Sequence, residues 1–427
     1  MKSGLKVFHW VIILWILIFI LQLNLMIKCA EFVIEFIGLI FSDFSTAVIL
    51  LDFNFLDLFL SATLFALTLP LIFIFRKRIN LISTKLNFSF AFIVVLSFLF
   101  LFAPLITNQN PGFSKNLSVT KLLPPLTYVK QINLNDKIQQ SLSKAELFRM
   151  KFNDILKPAF NEQIVFADSI KLSDTFVIYQ KNNAREIEKS LIAMESGTFL
   201  VKTKLFLLGT DEFGRDLFSR LVYGTRVSIS VGLAAVLISF FIGVVLGFLA
   251  GYFGGIADVV LNRFTEMFLA FPVIYIIVLI LALFGSSIFS VVIVLGVSGW
   301  MSLFKIVKTE TVSVIQKDFF VTAELVGLSK SQLLKKEIIP VIISPVLVNL
   351  VFLFSNVILA EAALSYLGLG TGSSYPSWGS MISSGQEYIT KAWWLIAFPG
   401  LALILTLFAF NISGKIFNRR INPNISR

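Results

Sequence analysis

Long apolar runs recur along this chain, each close to the ~20 residues a helix needs to cross a bilayer. They fall at Val7–Ile27, Leu58–Phe75, Phe88–Leu105, Val227–Gly251, Thr265–Gly285, Ile288–Phe304, Val341–Leu367 and Trp393–Phe410. Composition agrees: 57% of the 427 residues are hydrophobic and 14% charged, against roughly 25% charged in a soluble domain. Glu31–Leu51 is apolar too, but Glu35 and Asp43 would be costly at bilayer depth. The Arg76-Lys77-Arg78 cluster would face outward if that stretch also crossed. The positive-inside rule therefore favours an interfacial segment there. A signal peptide is disfavoured at the N-terminus, because the first run is long and no small-residue cleavage site follows.

With that path, residues 76–87, 305–336 and 415–427 lie on one side and carry the short basic clusters. Much of the formal charge of +11 is thereby accounted for without nucleic acid. Residues 107–207 lie on the other side. They are rich in Lys, Asn and Ser, and about 100 residues suffice for a small domain. Strands are expected at Phe176–Tyr179 and Phe199–Leu207, and a helix at Leu142–Ile155.

No catalytic constellation is present, and one histidine, His9, leaves no histidine-based metal site. The single cysteine, Cys29, excludes an intramolecular disulfide. Gly209 and Gly214 have the glycine spacing of a phosphate loop, but Arg215-Asp216 replaces its Lys-Ser/Thr, so nucleotide binding is rejected. Beyond Asp216, Leu217, Phe218, Leu221 and Val222 recur at helical spacing opposite Arg215, Arg220 and Arg226, predicting an amphipathic surface helix. In the following run Ala235, Ser239, Gly243, Gly247 and Gly251 recur every four residues, a stripe against which another helix can pack closely. Pro272 predicts a kink. Glu361 is an ionisable group at membrane depth, facing the bundle interior or snorkelling at the outer end.

The stretch Asp318–Pro340 does not read as a plain connector. Asp318 is placed to cap a short helix to Val326, and Gly327 sits where a helix end takes a left-handed residue. Ser329 and Gln332 have capping-box spacing for a second helix, and Pro340 is placed to open the next span. From the residues alone this is a structured connector or a compact docking surface.

Three motifs carry a resemblance. Ala323-x-x-x-Gly327 followed by a basic turn and Ile339-Pro340 resembles the coupling loop of importer-type ABC permeases, with Val321-Thr322 in place of the usual first letters. The G-T-D-x-x-G-R-D-x-x-S-R-x-x-Y-G-x-R pattern, carried by Gly209, Thr210, Asp211, Gly214, Arg215, Asp216, Ser219, Arg220, Tyr223, Gly224 and Arg226, resembles a signature of dipeptide, oligopeptide and nickel permeases of the second, C-type subunit class. Glu361–Gly370 with Trp378-Gly379 resembles the family's fifth core helix and the loop after it. Leu123-Pro124-Pro125 resembles a stretch that in relatives lies close to the G-T-D motif. The resemblance covers about half of the chain, Phe206 to Asn411, plus the third span. It departs at the tail, with Gly414-Lys415 for Gly-Asp and Asn422-Pro423 for Asp-Pro.

The resemblance implies an all-α polytopic membrane protein with an importer-type permease core. The N-terminal hairpin extension is residues 1–87, with spans near 7–27 and 58–75, and 88–106 is the first core helix. Residues 107–207 are an extracytoplasmic insertion, 208–414 the permease domain with its coupling loop at 305–340, and 415–427 a cytoplasmic basic tail. It implies import of small peptides, or of nickel or another small solute, by a non-enzymatic subunit with both termini cytoplasmic in a bacterial inner membrane. Implied partners are a sister permease forming a heterodimer, two ATPase subunits holding ATP-Mg, an extracytoplasmic substrate-binding protein and membrane lipid. No cofactor is expected on this chain. Asp318, Ala323, Gly327, Ser329 and Pro340 would form the coupling element, and Glu361, Gly368, Gly370 and Trp378 an outer gate. In mechanism, ATP at one end and loaded binding protein at the other would bias a two-state rocking of the helices. A secondary transporter would carry inverted repeats and broken midplane helices, and no repeat relates the two halves. A membrane-anchored sensor would make residues 107–207 its working part and need no coupling loop.

Overall fold

A computed structural model describes residues 7–42, 44, 53–74, 87–107, 110–134, 164–172, 176–180, 183–188, 190, 192, 194–195, 198–199, 201–370 and 376–421. It divides into two compact units. The first comprises Met1–Asn87, Val94–Arg226 and Ser384–Pro399; the second comprises Phe88–Ile93, Val227–Ser383 and Gly400–Arg427. The expected helix at Leu142–Ile155, the cluster Arg76-Lys77-Arg78 and Asn422-Pro423 lie outside the described residues.

In the first unit, α1 (Val7–Leu21) and α2 (Leu23–Ser42) meet at a 76° bend. The first expected span thus ends at Leu21 rather than Ile27. α3 (Phe53–Ile74) follows, and α4 (Phe88–Leu101) belongs to this unit from Val94 on. Leu25, Cys29, Phe32, Phe36 and Leu39 of α2 share one apolar cluster with Leu58, Phe65, Phe98, Phe102 and Leu105. Trp15 stacks on Phe65, and its Nε1 donates to the Phe65 carbonyl over 2.9 Å.

The segment after α4 carries strands at the two apolar stretches where they were expected, Phe176–Tyr179 and Phe199–Leu207, and at further stretches where they were not. Antiparallel β1 (Thr127–Asn133), β2 (Ile164–Ala167) and β8 (Val201–Phe206) form a sheet in the order β2-β1-β8. β3 (Ser169–Leu172), β4 (Phe176–Gln180) and β5 (Asn183–Ile187) form a second, and β6 (Met194–Glu195) pairs with β7 (Thr198–Phe199). Thr127 faces Phe206 and Ile132 faces Val201, so the segment leaves and returns through one hairpin. Val129, Ile164, Phe166 and Phe206 close a small core with Val119.

Helix α5 (Leu217–Phe253) is continuous for 37 residues. The expected amphipathic surface helix is therefore not separate; it forms the first turns of α5. Nothing between Gly224 and Val227 breaks the helix, and the Arg226 charge is neutralised within the first unit by Asp57, at 2.5 Å.

In the second unit the small-residue stripe of α5 lies against α8 (Ile288–Ile315). A Cβ on Gly243 would come within 2.6 Å of Leu303, and one on Gly251 within 2.8 Å of Thr311. Ser239 Oγ donates to the Gly296 carbonyl over 2.6 Å. Gly254 and Gly255, both with positive φ, end α5. The expected single span Thr265–Gly285 is instead two helices, α6 (Gly255–Ala270) and α7 (Val273–Phe284), at 81°. Phe271 takes an extended conformation because Pro272 disfavours helix before it, and the kink becomes a break.

The loop expected from Lys305 begins later, since α8 runs on to Ile315. Lysine sustains a helix, and Lys308 pairs with Asp258 of α6 at 2.5 Å. After α9 (Asp318–Leu325), helix α10 runs from Lys330 to Tyr366 through a π-turn at Leu334–Ile338. Pro340 stands, as expected, in the first turn of the α-helical stretch Ile339–Tyr366, which the π-turn joins to the preceding turn rather than leaving separate. Its ring would clash with the Lys336 carbonyl, and the π-turn relieves that within a continuous rod. α11 (Trp378–Gly385) and α12 (Trp394–Ile421) complete the chain, and α12 passes the expected tail boundary at Lys415 without a break. Among the described residues α5, α8, α10 and α12 are each long and apolar enough to cross a membrane, and the two bent pairs pass together.

Candidate functional site

Lys317 and not Asp318 occupies the N-cap position of α9, with no side-chain bond to the helix, and Asp318 lies in the first turn, where an acid favours the positive helix end. Phe320 anchors α9 at 3% exposure. Phe319, Val321, Leu325 and Val326 stay exposed, Leu325 at 82%. Ala323 is half-buried. Gly327, at φ +89°, closes the helix: its N–H donates to the Glu324 carbonyl over 2.9 Å and that of Leu328 to Ala323 over 3.2 Å. This doubly bonded terminus requires the left-handed residue. A Cβ on Gly327 would meet nothing within 4 Å, so the backbone angle and not crowding selects glycine. Ser329 and Gln332 form the reciprocal capping box that starts α10. The result is a short helix with an apolar exposed face, tied by a fixed turn to a rod of 37 residues, about 55 Å long at 1.5 Å per residue.

Toward the other end of that rod, Glu361 is completely buried. Ser365 Oγ donates to its Oε1 over 2.7 Å, and Ser228 Oγ of α5 lies 3.4 Å from its Oε2. Ser377 Oγ reaches Ser365 Oγ at 3.3 Å, and the Trp378 N–H donates to Ser228 Oγ over 3.2 Å. Glu361 therefore faces the interior and does not snorkel. Trp378 is 1% exposed. Gly379 lets the start of α11 settle on α10, since a Cβ there would stand 2.6 Å from Ala362 Cα. Gly370 packs against Ser365, and Gly368, at φ +80°, ends α10 with the same doubly bonded turn as Gly327. Of the four expected gate residues, Glu361 and Trp378 meet through this serine network, and Gly368 and Gly370 shape the chain leaving it. Ser365 was readable as the residue one turn beyond Glu361; nothing in the sequence pointed to Ser228 or Ser377.

The G-T-D signature, in the first unit, builds a clasp. Gly209, at φ +83°, lies so close to the Leu123 carbonyl and Pro124 that no side chain fits. Thr210 Oγ1 donates to the Thr120 carbonyl and accepts from the Leu123 N–H over 2.8 Å, while Trp394 Nε1 donates to the Thr210 carbonyl over 3.2 Å. Asp211 accepts from the Phe213 and Arg215 N–H groups and pairs with Arg215 at 2.6 Å and Arg220 at 3.4 Å. Gly214, at φ +69°, sits against Thr120. Asp216 caps α5 by accepting from the Ser219 N–H and Oγ over 3.0 and 2.6 Å. Arg220 also donates to the Pro111 carbonyl over 3.2 Å, and Arg226 to that of Phe100 over 2.6 Å. Gly224 is buried within α5. Beside the clasp, burial pushes the Glu212 carboxyl up. Leu123-Pro124-Pro125 thus touches the motif from which the intervening strands separate it in sequence.

A helical membrane protein with an exposed element rigidly joined to a transmembrane rod has the build of a transporter's membrane subunit. Residues 243–427 match the family described as binding-protein-dependent transport system inner membrane component. The di/tripeptide transport system permease protein DppC of Pseudomonas aeruginosa is 34% identical over 220 residues, covering 52% of this chain and 73% of that protein. The oligopeptide transport system permease protein OppC of Haemophilus influenzae is 38% identical over 215 residues, covering 50% and 69%. Among solved structures, an inward-facing MetNI methionine ABC transporter overlaps 47% of this chain and 96% of its own, with TM-score 0.39 and 14% identity. The chain belongs to the binding-protein-dependent inner membrane component family: it is a multi-pass permease subunit of an ABC importer, with ATP hydrolysis on separate subunits.

Proposed function

We propose that this chain forms the import path for small peptides across a bacterial inner membrane, together with a sister permease, two ATPases that hold ATP-Mg and an extracytoplasmic binding protein. The peptide assignment is supported by the relatives, which are di/tripeptide and oligopeptide permeases. The observation that carries the mechanism is the union of the exposed face of α9 with the unbroken helix α10. ATP closes the ATPase dimer and displaces α9. The fixed turn at Gly327 and the capping box at Ser329 pass that displacement to α10 without slack. At its far end α10 carries the Glu361 network and the turn at Gly368, which hold α11 and serve as the outer gate. Residues 107–207 face the binding protein's side, and both termini are cytoplasmic.

The test is reconstitution of the complex carrying Leu325→Asp or Ala323→Asp. A carboxylate buried unpaired in the docking face costs more than the about 1–3 kcal/mol of a neutral polar group, so ATPase retention falls by at least roughly fivefold. Peptide-stimulated ATP hydrolysis in liposomes falls with it, while membrane insertion and pairing with the sister permease persist. Unchanged co-purification together with unchanged stimulated hydrolysis would reduce α9 to a connector.

A further inference from the structure

Helix α2 has three longitudinal strips. At 100° per residue Asn24, Lys28, Glu31 and Glu35 fall within about 60° of arc, and all are exposed. Leu25, Cys29, Phe32, Phe36 and Leu39 form the buried strip within the first unit. Ile27, Ile34, Ile37 and Phe41 form a third strip within about 80° of arc; it is apolar and exposed, Ile34 at 70% and Phe41 at 87%. We propose that α2 is an interfacial helix whose third strip rests on the acyl chains of the phospholipid bilayer, with the charged strip among the headgroups.

Three observations select lipid as the occupant. First, a spanning α2 would carry Lys28, Glu31 and Glu35 through the bilayer core, at roughly 2.5–3.5 kcal/mol for each charge near the centre. A helix in water would instead leave the isoleucine and phenylalanine strip unburied; only the interface satisfies both strips. Second, α2 departs from the apolar α1 at 76°. Its buried strip clusters with Leu58 and Phe65 of α3 and with Phe98, Phe102 and Leu105 at and just past the end of α4, so one face is occupied by protein and the apolar third strip is left to another neighbour. Third, the strip is bulky. Contacts between membrane helices favour small residues, as the Gly243–Gly247–Gly251 stripe illustrates, whereas isoleucine and phenylalanine suit lipid. The proposal rests on membrane residence and not on the transport reading.

Nitroxide labels test it. Ile27→Cys, Ile34→Cys, Phe41→Cys, Lys28→Cys, Glu31→Cys and Glu35→Cys are each placed in the full chain carrying Cys29→Ser. The proteins are reconstituted in phosphatidylethanolamine–phosphatidylglycerol vesicles. These sites are exposed, so the labels leave the buried strip intact. Collisions with oxygen should peak at 27, 34 and 41, at one shared depth of about 5–10 Å beneath the headgroup boundary. Collisions with a water-soluble nickel chelate should peak at 28, 31 and 35. A depth that instead shifts by about 20 Å between 27 and 41, at 1.5 Å per residue, makes α2 a spanning helix and overturns the proposal. Low collision with both reagents at 27, 34 and 41 assigns the strip to protein and overturns it equally.

Discussion

Single residues shape both ends of α10. At Gly327 the positive φ penalises a branched side chain, while asparagine tolerates the same angle. Gly327→Val should abolish peptide-stimulated ATP hydrolysis while insertion persists, and Gly327→Asn should retain most of it. Equal loss in both variants would point to the space beside Gly327 rather than to its conformation. At Glu361, Gln keeps an acceptor for Ser365, whereas Leu leaves buried hydroxyls unsatisfied at about 1–3 kcal/mol. Glu361→Leu should therefore lower the thermal midpoint of the detergent-solubilised protein and speed proteolysis near Trp378, with Glu361→Gln close to wild type. Gly327 was legible in the sequence because a helix terminus has a local chemical grammar. Asp318 misled because capping is decided by the backbone of the residue just before the first turn, which proved to be Lys317. The serines around Glu361 were mostly invisible, since Ser228 and Ser377 approach it from distant parts of the chain.

Among the elements, two of the strand stretches after α4 were readable from their apolar residues, and the small-residue stripe of α5 foretold its tight contact with α8. Helix ends were less readable. Pro272 breaks a helix whereas Pro340 is absorbed by a π-turn, and the difference lies in surroundings that a local pattern does not encode. The paired β1 and β8 refine what can be removed. Excision from Val129 to Lys202 would strip most of a strand pair that leads into the clasp at Thr210. Joining Ile132 to Val201, which face each other, through an Asn-Gly turn preserves the hairpin. That shortened chain should insert and assemble with the sister permease, as read by size-exclusion chromatography of the co-expressed pair. Failure to assemble would give the excised strands a role in the core fold.

For the molecule as a whole, apolar run length made the membrane class legible, while path and sidedness rest on charge. By the positive-inside rule, Arg76-Lys77-Arg78 predicts residues 76–87 on the same side as the other basic loops, which we propose is cytoplasmic. A cysteine at position 80, in a Cys29-free chain, should react with an impermeant maleimide only after the membrane is opened. Reaction in intact cells would reverse the assignment and require another crossing among residues 31–51. Of the two interruptions of the expected path, the one at Pro272 was foretold as a kink and proved sharper, while the one at Gln22 was not legible, because each half is apolar enough to read as part of one straight span.

The unbroken course of α10 has a thermodynamic consequence. If one stiff body bears both the nucleotide-driven surface and the Glu361 network, their free energies are coupled, and coupling is symmetric. A ligand that favours one arrangement of the outer end must then alter nucleotide affinity, and nucleotide must alter the affinity of that ligand by the same factor. A variant that loosens Glu361 while leaving α9 untouched should accordingly be detectable as a changed dissociation constant for ATP on subunits that residue 361 itself never touches.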